Sequence, residues 1–193
     1  MQKIYGDHQT VKEHTNMDIT YRKAQQGELA AARTFYDLVA DGNDPAYNSA
    51  WRAGQYPPTA FLEAAIDAGT LYFAEENGQI IGGVVLNRKA AEGYDQVCWP
   101  IQAKSDGFMC IHLLGVDPRM QGRGIAGGLV DFSVRVAREA GCSAIRLDVL
   151  YENQPAIRLY EHHGFYRAGE MELYYDGVGM RRYIMMERKT EED

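Results

Sequence analysis

Cysteine is scarce in this chain and does not pair up. The three present, Cys98, Cys110 and Cys142, are an odd number without close spacing, which gives no disulfide framework. The first residues lack the charged-then-apolar order of a secretory leader, so a reducing cytoplasm is the expected setting. Long apolar runs are also missing, and none approaches the roughly 20 residues that a bilayer-crossing helix needs. Positive charge is in deficit, with 20 Lys and Arg against 27 Asp and Glu and a formal net charge of −7. No global basic field exists to draw in nucleic acid or an anionic membrane. Neither is expected as a partner, and a cationic small molecule is mildly favoured. Metal-ligand spacing is absent too. His162 and His163 are adjacent, so on a helix they point about 100° apart, and no Cys or carboxylate is spaced to help them hold a metal.

What is present suffices for one domain. With 193 residues, 46% of them hydrophobic, the chain can bury a substantial core. Residues 1–17 are polar and without sustained periodicity, and are read as an N-terminal tail. The domain is expected over 18–188, with a short C-terminal tail over 189–193. DITYRK predicts a strand, and 25–41 a helix with Leu29, Ala32, Phe35, Tyr36 and Val39 on one stripe. The turn-rich, aromatic segment 42–58 follows, then a second helix over 59–69 closed by Gly69. The runs TLYFAE and QIIGGVVLN are joined through Asn77-Gly78, a hairpin signal. After an irregular connection over 88–106, FMCIHLLGV predicts a central strand. A helix over 122–140 carries Ile125, Leu129, Phe132 and Val136 on one face. AIRLDVL predicts another strand, NQPAIRLYEHHG a helix with Pro155 near its first turn, and 165–175 with 181–188 a terminal hairpin. The order β-α-α-β-β-β-α-β-α-β-β specifies an α+β fold, with a mixed, mostly antiparallel sheet, flanking helices and one β-α-β crossover.

The stretch RMQGRGIAGG, 119–128, places glycines between a strand and a long helix, where successive backbone N–H groups meet the positive end of the helix dipole. Such a turn suits a pyrophosphate. Gly122, Gly124 and Gly127 match the dinucleotide pattern G-x-G-x-x-G, with Asp148 near the acidic position downstream. A dinucleotide fold is nevertheless disfavoured. Five residues separate Val116 from Gly122, and only 45 remain after Asp148, too few for a second nucleotide-binding half. Asp148 is then an ordinary strand residue in the alternating RLDV pattern. The P-loop pattern is absent.

Val116-Asp117-Pro118 followed by Arg119-Met120-Gln121-Gly122-Arg123-Gly124 resembles the R/Q-x-x-G-x-G/A motif of the GNAT superfamily of acyl-CoA-dependent N-acyltransferases. Asn153-Gln154-Pro155-Ala156-Ile157-Arg158-Leu159-Tyr160, continuing to Gly164-Phe165, resembles that family's N-x-x-A-x-x-L-Y-x-x-x-G-F helix. The pair, in this order and spacing, is specific, and the resemblance covers 18–188. It implies a central strand pair splayed into a V that admits the pantetheine arm of acetyl-CoA, the expected cosubstrate. By resemblance, Leu114, Gly115 and Val116 border that arm, and backbone N–H groups of Gln121, Gly122, Arg123, Gly124, Ile125 and Ala126 hold the pyrophosphate. Asn153 caps its helix and faces the gap. Tyr160 gives a proton to the departing thiolate, a role that suits a phenol with an ordinary pKa of about 10.

A base must also take a proton from the substrate ammonium. By period two, Phe108, Cys110, His112 and Leu114 share one face, so if Leu114 borders the coenzyme, His112 points to the same cleft. The alternative is a hydrogen-bonded core histidine. The acceptor is expected to be a small-molecule amine in a pocket walled by Trp51, Tyr56, Tyr94 and Trp99, held by stacking and cation–π contact. Each of these aromatics also has a plain reading as core. A protein N-terminus or lysine as acceptor, a non-catalytic acyl-CoA-binding module, and a homodimer all stay open.

Overall fold

Alternating and continuous apolar runs build a seven-stranded sheet whose spatial order is β1-β2-β3-β4-β5-β7-β6. The computed structural model describes residues 19–191; the expected tail over 1–17 lies outside them. The strands are β1 (Thr20–Lys23), β2 (Leu71–Glu76), β3 (Gln79–Asn87), β4 (Phe108–Val116), β5 (Ala144–Leu150), β6 (Tyr166–Tyr175) and β7 (Gly179–Lys189). The helices are α1 (Leu29–Gly42), α2 (Thr59–Asp67), α3 (Ile125–Glu139) and α4 (Gln154–His162). All neighbouring strands are antiparallel except β4 and β5, whose parallel pairing needs the α3 crossover. β7 runs through Lys189, and Thr190 is buried with its hydroxyl on the Cys142 carbonyl. The ordered domain therefore reaches into the segment expected as a C-terminal tail.

The sheet is covered on both faces at its centre, where β3, β4 and β5 are buried on both. α1 and α2 pack one face through Ala32, Phe35, Tyr36, Val39, Leu62 and Ile66, meeting Phe73, Val85 and Leu113. α3 and α4 pack the other through Ile125, Leu129, Ile157 and Tyr160, meeting Val84, Ile111, Leu147 and Ile184. A third cluster lies under the irregular connection, where Trp99 and Phe108 sandwich the Arg146 guanidinium at 4.4 and 4.2 Å. Arg146 in turn donates to Glu187 at 2.9 Å.

Two irregularities shape the centre of the sheet. β4 and β5 pair only at Phe108↔Ala144, Met109↔Ile145 and Cys110↔Arg146, and diverge beyond. β4 also carries a bulge. The pairs Asn87↔Cys110, Leu86↔Ile111 and Val85↔His112 lie on one side of it, and Gly83↔Gly115 and Gly82↔Val116 on the other. Val84 thus faces two residues, Leu113 and Leu114, and Leu113 adopts φ 50°, a left-handed conformation that bulges use and leucine rarely does. Tyr36, fully buried, donates its hydroxyl to the Leu113 carbonyl at 3.0 Å. A carbonyl that the bulge takes out of the ladder is thereby satisfied.

Candidate active site

The divergence of β4 from β5 opens a groove of about 540 Å3 between α1 and α4. Leu114, Gly115, Val116, Gln121, Ala126 and Asn153 line it. Gly115 lies close under α1, and a Cβ there would come 3.2 Å from Val39, tight enough that the valine would have to give. At one end stands the start of α3. Its first intrahelical bond runs from Gly128 N to Gly124 O at 3.0 Å, so the N–H groups of Ile125, Ala126 and Gly127 have no intrahelical acceptor. Gly124, the N-cap, supplies no side-chain cap. The pole is positive and open to an anion.

The glycines of this stretch divide into two kinds. Gly122 and Gly124 have φ 76° and 78° with nothing within 4 Å of a built Cβ, so they serve the turn itself. Gly127 and Gly128 serve packing, since a Cβ on them would lie 2.8 Å from His163 Nε2 and 2.3 Å from the Tyr21 hydroxyl. Arg123 reaches Glu76 at 2.7 Å. Ile125 buries its side chain in the core, so only its backbone belongs to the helix start. His163, at the end of α4, is half-buried and bonded through Nδ1 to Asp131 at 2.8 Å.

At its inner end the groove continues into a cavity of about 150 Å3 lined by His112, Asp148, Asn153, Tyr160, Trp51, Tyr56 and Tyr175. Residues from both faces of the sheet meet here because the gap between β4 and β5 leaves nothing to separate them. Tyr160 arrives from α4 and Trp51 and Tyr56 from the loop between α1 and α2. Asn153 accepts from Ala156 N at 3.2 Å as the N-cap of α4 and also lines the groove. The Tyr160 ring packs on Phe165 at 5.6 Å between centroids. Burial, with the Asp148 charge nearby, holds its phenol well above the ordinary range.

His112 lines the cavity, but strand parity does not put it there. The bulge at Leu113 breaks the period of two, so Leu114 packs toward α3 and α4 while His112 shares the opposite face with Leu113, 6.4 Å from the Phe61 ring of α2. Its Nε2 lies 3.1 Å from the Lys89 carbonyl and 3.2 Å from Asn87 Oδ1. A carbonyl only accepts, so Nε2 carries the proton and the neutral ring leaves Nδ1 bare. Burial depresses its pKa, opposed by Asp148 and the Lys89 carbonyl. Cys110, on the same strand, is fully buried, and desolvation pushes its thiol far up, which suits no nucleophile.

Two of the four expected wall residues are elsewhere. Trp99 is buried beneath Arg146 and donates its indole N–H to the Tyr94 carbonyl at 2.7 Å, so it is core. Tyr94 is also buried, and its hydroxyl donates to Asp148 Oδ1 at 2.7 Å. Tyr175 donates to the same oxygen at 2.9 Å. Asp148 is therefore no ordinary strand residue. Burial raises its pKa, while the Tyr94 bond, His112 and the Tyr175 bond pull it back. No helix among the described residues is long and apolar enough to cross a membrane, and no group of three metal-ligating side chains occurs among them.

A family model described as the acetyltransferase (GNAT) family matches residues 35–165. The chain is 31% identical over 105 residues to a mycothiol acetyltransferase of Thermomonospora curvata, covering 54% of this chain and 30% of that one. It is 37% identical over 75 residues to the N-alpha-acetyltransferase RimI of Mycobacterium tuberculosis, covering 39% and 46%. The chain spans less than half the length of either of these curated relatives. Among solved structures, yncA of Salmonella typhimurium with its cofactor acetyl-CoA superposes with a TM-score of 0.64 at 20% identity, covering 91% of this chain and 96% of that one. Ard1 of Thermoplasma volcanium superposes at 0.65 and 20% identity, covering 90% and 99%. These neighbours share the fold. The family model, which runs from within α1 to the end of the α4 motif and covers more than half of the chain, shows that the chain belongs to the GNAT acetyltransferase family.

Proposed function

We propose that the protein transfers the acetyl group of acetyl-CoA to a small primary amine by direct attack within a ternary complex. The reading rests above all on one continuous path, from the uncapped start of α3, along the unpaired edge of β4, to the cavity holding Tyr160 and His112. The residues present fit acetyl-CoA. The helix start offers N–H groups to a pyrophosphate, and the edge of β4 beyond Cys110 offers backbone groups to the amides of the arm, as a neighbouring strand would. Leu114, Gly115, Val116, Gln121, Gly122, Arg123, Gly124, Ile125, Ala126 and Asn153 make up this surface. The bound thioester supplies an electrophilic carbonyl carbon.

The protein's own groups manage protons. An amine reaches the cavity as an ammonium with three protons. His112 takes one through Nδ1 and passes it to solvent, which frees the lone pair for attack as the C–S bond breaks. Tyr160 donates its proton to the leaving sulfur and is restored by the second proton the nitrogen loses; the third stays on the amide. Trp51 and Tyr56 wall the acceptor. A cavity of about 150 Å3 favours a small acceptor over a folded protein surface. Calorimetric titration with acetyl-CoA, followed by thiol release across an amine panel and mass spectrometry of the product, tests the reading. Binding without transfer to any amine makes the protein an acyl-CoA-binding module, and absence of binding removes the reading altogether.

A further inference from the structure

The cavity contains one carboxylate, Asp148, and no Lys or Arg among its lining residues. Strand alternation aims Asp148 there, since Leu147 and Val149 on either side turn into the core against α3 and α4. The Tyr94 and Tyr175 hydroxyls both reach Oδ1, and neither reaches Oδ2. Asp148 is half-buried, and a carboxylate drawn into such a cavity without a cation carries a desolvation cost that two hydroxyls and its own backbone N–H offset only in part. Other acceptors stand nearby. Asn48, which lines the same cavity, has its Oδ1 buried without a partner among the described residues, and neutral His112 presents a bare Nδ1.

A cavity rich in acceptors matches one kind of ligand group, because an ammonium is three donors and no acceptor. Trp51, Tyr56 and Tyr175 add aromatic rings for cation–π contact. Resting on the acetyl-transfer reading above, we propose that Asp148 anchors the ammonium of the acceptor, and that this acceptor bears no carboxylate on the carbon that carries the nitrogen. A carboxylate there would be forced beside Asp148 with no side-chain cation to neutralise either. Free α-amino acids are thus excluded, and decarboxylated amines fit.

Wild type and Asp148→Asn are compared at saturating acetyl-CoA with four matched pairs: tyramine and tyrosine, tryptamine and tryptophan, agmatine and arginine, isoamylamine and leucine. Asparagine keeps the shape and can still accept from both tyrosines. Wild type should prefer the amine of at least one pair by tenfold or more in kcat/KM. The variant should raise the KM for that amine by about 30-fold or more, as removal of one member of a buried charge pair does. Its affinity for acetyl-CoA should not change. An unchanged KM, or amino acids used as well as their amines, overturns the anchor, and so does wild-type protein that binds acetyl-CoA and acetylates no member of the panel. Should the variant not fold, the wild-type pairs decide alone. Should wild type not bind acetyl-CoA, the transfer reading fails instead. The anchor is then judged by whether the amines, and not the amino acids, raise the wild-type melting temperature.

Discussion

Replacing Tyr160 by Phe separates chemistry from packing. The side chain is 7% exposed and its ring rests on Phe165, contacts that phenylalanine keeps. The hydroxyl opens onto the cavity with no hydrogen-bond partner among the described residues, so its removal strands no buried group. Stability should change by no more than about 0.5 kcal/mol, a melting shift under about 2 °C for a domain of this size. Acetyl-CoA affinity should hold as well. Transfer should not. Loss of a positioned proton donor slows a step by about 10² to 10⁴, or about 3–5 kcal/mol at 1.36 kcal/mol per tenfold. Burial and the Asp148 charge keep the phenol protonated through the ordinary assay range, so the deficit should be flat in pH. Single-turnover rates are the right measure, because slow product release can mask a chemical defect. An acyl donor with a more acidic thiol needs less help from an acid and should narrow the gap. Wild-type single-turnover transfer by the folded variant would reduce Tyr160 to a packing residue.

Gly124→Val places a branched side chain at φ 78° and should cost about 1–2 kcal/mol of stability from that conformation alone. Calorimetry should also show weakened acetyl-CoA binding, and undiminished affinity would rule out the helix start as the anion site. Gly128→Ala puts a Cβ 2.3 Å from the Tyr21 hydroxyl and should lower stability by about 1–3 kcal/mol. Acetyl-CoA affinity should remain as it was, so weakening in proportion would mean that the packing and cradle glycines are not separate. For His112 the folded pKa is depressed by burial below the unfolded value of about 6.5. The unfolded chain therefore takes up that proton first as pH falls. The stability tied to neutral His112 is complete above about pH 6.5 and is lost on acidification toward the folded pKa. His112→Gln should flatten the fall in melting temperature below pH 6.5, lower the single-turnover plateau and abolish its acid limb. A variant with the wild-type pH profile assigns the base elsewhere.

Local patterns were readable where the physics is local. The stripe of Phe35, Tyr36 and Val39, the Asn77-Gly78 turn and the cap at Asn153 each depend on neighbours a few positions away, and the strands and helices formed where periodicity put them. Asp148 depends on residues 54 and 27 positions distant, Tyr94 and Tyr175. Alternation in RLDV specifies its face of the strand and says nothing of what arrives opposite. Trp99 fails as a wall for a similar reason: Arg146, whose charge had to be buried with Glu187, takes its ring. The case of His112 is different, since it lines the cavity while the parity that was to put it there fails. Period two holds only along an unbroken ladder, and Leu113 carries no sequence mark of a left-handed conformation. The bulge turns Leu114 toward the groove and leaves His112 on the α2 side, beside Phe61. Were the strand regular, both would share one face. A base so placed would crowd the arm of the coenzyme, whereas the proposed reaction has His112 work across the gap with Asp148.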